Sequence, residues 1–407
     1  MKNKLFIYLY CLGLFFGLYA CGETSSDEKK QTTEEPDDSG SQPSSPERTF
    51  IHPGVTVTTA DIERMRKMVA EKQSPAYDAY QILATLPTAS PSYKMKGPFK
   101  VISRNENSAN YNVSSYEQDF LAAYMNALMW CVTQETPYAE KALDIVYQYA
   151  QTLEEIDITD GVILISGFSC FHLVKAMEII RYTYNVPDEK LETIANMLKN
   201  VFLPVMKTDL EKAPYHIGNQ DAVGNRAILA TAIYLEDSEL YEWAKDFFLK
   251  SDHNGCIANY ILSSTGQCQE SGRDQRHTQL GLGVMAETCE IAHKQGDDDF
   301  YAAYDNLLLK GFEYTARYNI GLTVPFEVFK DVTKRPDWAY STLSTEGRGV
   351  FLPYYEIVYN HYVYRKKLNN LTEFTTYVLE NSARPETYLT DSRLQHTFAS
   401  LVYYQSR

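Results

Sequence analysis

Residues 278–291 read TQLGLGVMAETCEI, and this stretch decides the fold class. On a helix its large apolar side chains point in every direction: Leu280, Leu282, Val284, Met285 and Ile291. A helix that is apolar on all sides is surrounded by other parts of its protein, because no face of it suits water. The stretch therefore predicts an inner helix in a fold that is built from helices.

The chain from Thr58 onwards continues the helical pattern, with apolar residues three and four positions apart and little strand-like alternation. Thr58 with Asp61, and Ser115 with Gln118, have the spacing of capping boxes that begin helices. Further helices are predicted over residues 138–153, 169–184, 188–205, 221–235, 238–250, 271–293, 298–318 and 346–365.

These helices have similar lengths, and their short connections contain Pro, Gly, Asn or Asp. Hairpins of such helices build either an open α-solenoid or a closed (α/α) toroid. A solenoid is marked by self-similar repeats of fixed period, and the sequence contains no convincing one. We therefore predict an all-α fold, with a single (α/α) toroid of helical hairpins over residues 50–407.

The N-terminus has the pattern of an export signal. A short basic start precedes an uncharged apolar run over residues 5–20, which is too short for a membrane-spanning helix. The following Leu-Tyr-Ala-Cys resembles a bacterial lipobox, in which the cysteine becomes the acylated first residue. The alternative is an ordinary signal peptide with a chance cysteine. We predict a lipoprotein signal peptide over residues 1–20 and a lipid on Cys21.

Residues 22–48 read GETSSDEKKQTTEEPDDSGSQPSSPER and have no apolar cluster. Such a segment cannot bury surface, so we predict a disordered acidic tether over residues 21–49. Acidic residues soon after the cysteine resemble export signals of surface lipoproteins in some Gram-negative bacteria. The expected location is the outer membrane, bound through the lipid on Cys21, on the cell surface or otherwise in the periplasm.

The composition narrows the class of protein and of partner. The chain has 407 residues with only 20 Gly and 16 Pro, which excludes a collagen and a chain disordered throughout. Its 38 basic and 53 acidic side chains give a net charge of −15, which argues against a nucleic-acid partner. A local basic cluster can still bind an anion. The 32 tyrosines are typical of polysaccharide-handling proteins, and also of aromatic-rich helical cores.

Five cysteines remain besides Cys11 in the signal and Cys21. An odd number without CxxC pairs indicates neither a zinc cluster nor a disulfide framework. Three of them lie in apolar helical runs and are expected to be buried thiols: Cys131, Cys170 and Cys289. Cys256 and Cys268 are the only two for which a disulfide remains a possibility.

Residues 266–278 read GQCQESGRDQRHT and concentrate polar chemistry directly before the apolar helix. Ser271 and Asp274 have capping-box spacing, which makes Ser271 the predicted N-cap and puts Arg273 and His277 on one helix face. A helix N-terminus attracts anions and disfavours imidazolium, so His277 is expected to be neutral. Arg273 can hold a carboxylate through two hydrogen bonds.

Simpler explanations exist for each candidate group. The sequence supports equally well that Arg273 is part of a solvated helix cap, in which it pairs with Glu270 or Asp274. The sequence alone favours a capped polar loop for His216 with Asn219, Gln220 and Asp221. It favours core aromatic packing for Tyr314 with Tyr318. It favours an ordinary helix histidine for His361, downstream of Arg348. The sequence has no GxSxG, GxGxxG, phosphate-loop or HExxH motif, while the paired carboxylates of a glycosidase stay possible.

Six runs occur in the same order as in a known group of enzymes. They are GNQDA (218–222), GQCQESGRDQRHTQLGLG (266–283), CEIAHKQG (289–296), LLKGFEYTARYNIG (308–321), VPFE (324–327) and YNHYV (359–363). They resemble the alginate-lyase-like domain of bacterial polysaccharide lyases, particularly the α/α-toroid enzymes grouped with polysaccharide lyase family 38. Relatives commonly have Trp where this chain has Gln220, a departure that affects sugar stacking and leaves Asn219 in place.

The resemblance implies β-elimination at a uronic acid. The sugar carboxylate must be neutralised, a base must take the C5 proton, and an acid must protonate the O4 leaving group. The resemblance implies that Arg273, Asn219 and Gln267 bind the sugar carboxylate. It gives His277 the role of base or neutraliser and Tyr314 the role of proton donor.

The resemblance also sets what else is expected of the site. Rivals to Tyr314 are Tyr260, Tyr318 and Tyr359. The other expected substrate contacts are Glu270, His216, Tyr260, Tyr318, Arg348 and His361. No metal or cofactor is expected, because side chains neutralise the carboxylate.

The implied substrate is an anionic polysaccharide, alginate or a glucuronan-like polyuronate, since the family includes enzymes for both. The product would carry a 4,5-unsaturated uronate end. Two other functions stay open: a surface glycan-binding lipoprotein without catalysis, and an α/α-toroid glycosidase that acts on unsaturated uronides.

Overall fold

The structure, a computed structural model, describes residues 48–158, 161–388 and 398–405, and fifteen α-helices account for most of them. The helices are α1 Thr59–Ala70, α2 Ala76–Thr85, α3 Val113–Thr133, α4 Thr136–Thr152, α5 Val162–Thr183, α6 Asp188–Met197, α7 Leu203–Leu210, α8 Gly218–Leu235, α9 Ser238–Lys250, α10 Ile257–Tyr260, α11 Gln275–Lys294, α12 Asp299–Asn319, α13 Tyr355–Tyr359, α14 Glu373–Asn381 and α15 Ala399–Tyr403. Two two-residue strands, Val101–Ile102 and Glu155–Ile156, pair in parallel.

The helices form a closed ring of hairpins. The inner helices are α3, α5, α8, α11 and α13, and each packs against the next. Each is followed in the chain by an outer helix, which is α4, α6 with α7, α9, α12 or α14. The ring closes through α15 and α1, which join α13 to α3. The predicted all-α toroid is therefore confirmed.

The inner helices are buried because their sequences have no polar face. Every residue from Thr278 to Ala292 of α11 is buried, as the opening stretch predicts. By length and composition α5 is the one helix of the described residues that is apolar enough to cross a membrane. Since 94% of its most apolar window is buried inside the protein, its composition reflects its place in the ring.

Two glycines of α11 let neighbouring aromatic rings reach the helix backbone. A Cβ on Gly281 would lie 2.0 Å from the hydroxyl oxygen of Tyr260, and one on Gly283 would lie 2.0 Å from Cδ2 of Tyr354. Both contacts are far shorter than real Cβ contacts, so only glycine fits. The packing of Tyr260 against α11 carries its hydroxyl towards the site described below.

Several predicted helix boundaries are confirmed and others are wrong. Thr58 caps α1 in a capping box with Asp61, and α9 has its predicted bounds. Ser115 is not a cap, because α3 begins at Val113 after Asn112. The helix predicted from residue 346 begins only at 355, because Gly347 and Gly349 have positive φ values of 70° and 85° and Pro353 follows them.

All five cysteines of the described body are free and buried. The disulfide left open between Cys256 and Cys268 therefore does not form. Cys268 instead packs in the core, where its sulfur accepts a hydrogen bond from Ser271 at 3.6 Å. Burial raises the pKa of the Cys268 thiol to about 11.

The signal peptide, Cys21 and nearly all of the predicted tether lie outside the described residues. Arg48, two residues before the predicted domain boundary, contacts the body. Its backbone N–H donates to Ser238 at 2.9 Å, and its guanidinium pairs with Asp297 at 3.2 Å.

Candidate active site

The N-terminal ends of three inner helices meet at one end of the ring. The backbone N–H of Gly218, at the start of α8, donates to Gln269 in the turn before α11 at 2.9 Å. Gly161 and Val162, at the start of α5, line the same cleft as Gln220 of α8. Helix N-termini carry partial positive charge and unpaired N–H groups, so this end of the ring favours an anionic ligand.

Glu270 organises the site from within. Its buried carboxylate accepts hydrogen bonds from Asn219 Nδ2 at 2.5 Å, from Arg273 Nη1 at 2.9 Å and from the Tyr260 hydroxyl at 2.9 Å. Burial raises the pKa of Glu270, and the charges of Arg273 and His277 offset only part of that shift. One buried acid therefore fixes an amide, a guanidinium and a phenol. Asn219 and Tyr260 are themselves buried.

His277 is held so that one ring nitrogen faces Arg273. Its Nδ1 lies 2.6 Å from Asp274 Oδ2, and its Nε2 lies 3.1 Å from Arg273 Nη2. A proton on Nδ1 satisfies the carboxylate and leaves the Nε2 lone pair facing the guanidinium. Burial raises the pKa of Asp274, but hydrogen bonds from His277 outweigh burial and lower it. The side chains of Arg273 and His277 are 32% and 36% exposed, so a ligand can reach them.

The helix start differs from the predicted one. Asp274 is the N-cap of α11, and its Oδ1 accepts from the backbone N–H of His277 at 2.7 Å. Ser271 lies earlier, in the 3-10 turn Gln269–Gly272, so its predicted role as N-cap is wrong. Arg273 therefore meets His277 from the turn rather than along one helix face. Arg273 also pairs with Glu270, which was the alternative prediction. Its side chain contacts both His277 and Glu270 and is still partly exposed.

Residues 340–352 form a strap across the first half of α11. Gln275 Nε2 donates to the Ser344 carbonyl at 3.0 Å, and Gln279 Nε2 donates to the Val350 carbonyl at 2.8 Å. Asn319 of α12 bridges them, since it bonds Gln275 at 2.9 Å and accepts from the Gly349 N–H at 3.0 Å. The side chains of Gln275 and Gln279 therefore hold the strap in place.

The strap brings Tyr340 to the site, which the sequence analysis missed. A Cβ on Gly272 would lie 2.3 Å from the Cβ of Tyr340, so the glycine of the motif makes room for it. Burial raises the pKa of Tyr340, the charge of Arg273 opposes the shift, and Glu270 adds to it. The one signal in the sequence was Gly272, a small residue within an otherwise polar motif.

A cleft of about 760 Å³ reaches Gln220, the residue after Asn219. It is lined by Ile158, Gly161, Val162, Asp209, Lys212, Tyr215, His216, Gln220, Arg335 and Trp338. His216, predicted as a substrate contact, bonds Gln220 through Nδ1 at 3.0 Å and Asp209 through Nε2 at 3.0 Å. The guanidinium carbon of Arg335 lies 4.7 Å from the Trp338 ring centroid. The cations and aromatic rings of this cleft were not predicted from the sequence.

Several predicted site residues lie elsewhere and have other partners. Gln267 is buried, and its amide bonds both backbone groups of Glu327, at 2.7 and 3.0 Å. The Tyr314 hydroxyl donates to the Pro325 carbonyl at 2.6 Å. Arg348 lies over the Tyr318 ring, with Cζ 4.0 Å from the centroid, and its Nε donates to the Tyr318 carbonyl at 2.8 Å.

His361 lies at the opposite end of α11. It stacks on Tyr301 with ring centroids 3.6 Å apart and neighbours the ion pair of Arg365 with Glu290. Thirteen residues of helix separate Glu290 from His277, or about 20 Å. Burial lowers the pKa of His361 to about 3. His361, predicted as a substrate contact, therefore lies far from Arg273 and His277, and Tyr359 lies on the same segment as His361, two residues before it.

Within the described residues no group of three or more His, Cys, Asp or Glu side chains could hold a metal ion. The candidate site consists of Asn219, Glu270, Arg273, His277 and Tyr340, and the cleft begins at Gln220 next to Asn219.

Comparisons with known proteins agree with this fold. The family model described as alginate lyase matches residues 59–322, well over half of the chain. A search of curated proteins finds no match. Alginate lyase A1-III from Sphingomonas species A1 is similar in structure, with a TM-score of 0.59 and 15% identity over 87% of this chain and 98% of that one.

Two further solved structures are similar. An alginate lyase from Bacteroides ovatus has a TM-score of 0.54 and 14% identity over 88% of this chain and 100% of that one. A Tyr-to-Phe variant of A1-III, complexed with a tetrasaccharide, has a TM-score of 0.58 and 14% identity over 85% and 95%. At such identities the likeness shows the fold.

Proposed function

The chain belongs to the alginate lyase family and is a polysaccharide lyase, and from that premise we propose that it cleaves alginate or a similar polyuronate at the N-terminal ends of α8 and α11. The observation that carries the proposal is the Arg273–His277–Asp274 arrangement, anchored by Glu270 and partly open to solvent. A similar enzyme has been captured with a tetrasaccharide, which supports an oligosaccharide ligand here.

Arg273 is the group that neutralises the substrate. A uronate carboxylate that pairs with its guanidinium cancels the charge that otherwise opposes carbanion formation at C5. Asn219 has a second N–H beyond the one bonded to Glu270, and it adds a hydrogen bond to the same carboxylate. The positive ends of α8 and α11 favour the charge that develops on the carboxylate.

His277 takes the role of base. When the carboxylate occupies Arg273, the Nε2 lone pair of His277 is released from the guanidinium and accepts the C5 proton. Asp274 stabilises the imidazolium that forms, because its carboxylate already bonds Nδ1 at 2.6 Å. The C5–H electron pair becomes the C4=C5 double bond, and the C4–O4 bond breaks.

Tyr340 is the group we assign to protonation of the departing O4. It lies beside Arg273 on the strap, whereas the hydroxyl of Tyr314 is committed to the Pro325 carbonyl. A phenol gives its proton to O4, and the resulting phenolate recovers a proton from solvent or from His277 between turnovers. The cleft with Lys212 and Arg335 then holds the anionic chain on one side of the cleaved bond.

Ultraviolet absorbance tests this function, because elimination creates a conjugated double bond. We expect a rise in absorbance with alginate or glucuronan and none with a neutral polysaccharide. Binding without any rise would favour a non-catalytic glycan-binding protein. Loss of absorbance from a substrate that is already unsaturated would favour a uronyl glycosidase.

We also propose that the enzyme is anchored to the outer membrane through a lipid on Cys21. The support is the lipobox-like end of the apolar run and the tether-like segment behind it. Cys21→Ala should move the protein from the membrane fraction to the soluble fraction, while Cys256→Ala should not. Membrane partitioning that is unchanged in Cys21→Ala would contradict the anchor.

A further inference from the structure

We propose that a groove on the outer face of α12 is a second binding site for the uronate polymer, outside the catalytic cluster. The groove has a volume of about 450 Å³ and lies between α12, the turn at residues 263–265 and the start of α14. Its walls include Thr265, Lys310, Glu313, Tyr314, Arg317 and Phe374. The inference rests on the proposed function, because it assigns the same polymer to a second surface.

One face of α12 provides the floor. Lys310, Tyr314 and Arg317 are four and three residues apart, so they share a helix face. Positive φ values at residues 304–306 break α12 upstream, and the three side chains follow the break. Tyr314 is buried, and its bond to the Pro325 carbonyl fixes the opposite wall. The tyrosine that the sequence resemblance gave to catalysis therefore shapes this groove.

The groove presents cations on a protein whose net charge is −15. Lys310 pairs with Asp305 at 3.1 Å, but the Asp305 side chain is 85% exposed, so the pair is weak and a ligand anion can replace it. The exposed Arg317 has its guanidinium carbon 5.5 Å from the Phe374 ring centroid. Lys310 and Arg317 are about 10 Å apart along the helix axis, so one polymer chain can meet both.

The acid of the groove does not cancel these cations. Glu313 accepts from the backbone N–H groups of Phe374 at 2.9 Å and Thr375 at 2.8 Å. Its charge therefore faces the N-terminal end of α14, which stabilises it. What remains for a ligand is a pair of cations beside an aromatic ring. This combination fits a sugar chain that carries carboxylates better than a neutral one.

The groove is close to the catalytic cluster along the chain. Gly266 packs against α12, where a Cβ would lie 2.2 Å from the Lys310 carbonyl oxygen. Four residues lead from Gly266 to Glu270, a span of at most about 14 Å. A long polymer can therefore occupy the catalytic cleft and the groove together, while a short oligosaccharide in the cleft leaves the groove empty.

The test compares long and short substrates. We expect Lys310→Ala/Arg317→Ala to raise the KM for polymeric alginate about tenfold, because a second tethered contact is lost, with kcat unchanged. The KM for an alginate tetrasaccharide should stay the same. Lys67→Ala/Lys199→Ala removes the same charge from exposed positions elsewhere and should change neither KM. The charge-conserving Lys310→Arg/Arg317→Lys should keep the low KM for the polymer.

Other results would overturn the groove site. An equal rise in KM for polymer and tetrasaccharide would mean that the groove is part of the catalytic cleft. An unchanged KM for both would mean that the groove does not bind the polymer. Thermal unfolding checks that the double variant folds, and Arg317→Gln alone repeats the test if it does not. Calorimetric titration of His277→Gln with alginate, with and without Lys310→Ala/Arg317→Ala, measures the contribution of the groove to binding without turnover. It therefore separates failure of this site from failure of the proposed lyase activity.

Discussion

Around the N-terminal end of α11 lie Glu270, Arg273 and His277, and around its C-terminal end lie Glu290, His361 and Arg365. Each set contains one buried glutamate, one arginine and one histidine. In the first set the arginine and histidine side chains are about one third exposed, at 32% and 36%. In the second, Arg365 is 20% exposed and His361 is buried against Tyr301.

The two glutamates differ in how fully they are paired. Burial raises the pKa of Glu290, but Lys294 and Arg365 outweigh burial and lower the pKa to about 2. Burial also raises the pKa of Glu270, and there it prevails over Arg273 and His277. The C-terminal set is a neutralised structural network. The N-terminal set keeps an arginine whose charge is only partly used, which is what a substrate carboxylate requires.

The residue types alone therefore do not distinguish a site from a scaffold. What distinguishes them is exposure, together with hydrogen-bonding capacity that is left for a ligand. The predictions below test this difference, beginning with the largest effect.

Arg273→Ala should lower kcat/KM for alginate by about 10²–10⁴-fold, because it removes the group that neutralises the substrate carboxylate. The fold should survive, since the side chain is partly exposed. Absorbance assays give the rate, and circular dichroism checks the fold. A rate near that of the unmodified enzyme would mean that Arg273 is only a structural cap.

The isosteric pair Glu290→Gln and Glu270→Gln should separate stability from activity. Glu290→Gln leaves Arg365 without its carboxylate partner, while Lys294 keeps Asp61 at 2.6 Å. It should lower the free energy of unfolding by about 3–5 kcal/mol, with normal activity of the folded fraction. Glu270→Gln should change stability little and lower the rate about 10²-fold, because Arg273 and Asn219 lose their anchor. Urea denaturation and absorbance assays measure both.

The same pair has a pH signature. Because the folded pKa of Glu290 is depressed, its contribution to stability is present above the ordinary value of 4.5 and is lost as pH falls towards about 2. Unfolding curves of the unmodified enzyme and Glu290→Gln should therefore converge in acid. A constant difference between them down to low pH would contradict the pairing.

Tyr340→Phe and Tyr314→Phe compare the tyrosine of the strap with that of the groove. Tyr340→Phe should lower kcat about 10²-fold, because it removes the proton donor and keeps the ring. Tyr314→Phe removes one hydrogen bond to a carbonyl and should cost about 1 kcal/mol of stability with kcat unchanged. The reverse pattern in steady-state kinetics would return the donor role to Tyr314.

The fold was accessible from the sequence because it depends on local patterns. The apolar stretch in α11 and the capping box at Thr58 each predict an element that the structure contains. Boundaries failed where several residues compete, as at Ser115 inside α3 or at Ser271, where a 3-10 turn intervenes before α11.

The site was only partly accessible, because it is assembled from distant segments. Arg273 and His277 are in one run, and their spacing predicts their contact. Tyr340 arrives on a strap about seventy residues later, held by hydrogen bonds from glutamine side chains to its carbonyl groups, which have no signature in the sequence. The position of His361 was not accessible either, because nothing in the local sequence indicates which end of α11 it reaches.

The most direct test of the account is the rate at which unsaturated uronate ends form from alginate, measured by absorbance for His277→Gln and His361→Gln at equal concentrations of folded protein. We expect at least about a 10²-fold loss for His277→Gln, because the base at the open end of α11 is removed. We expect a normal rate for His361→Gln, because that histidine belongs to the closed end. A normal rate for His277→Gln, or a comparable loss in His361→Gln, would contradict the account.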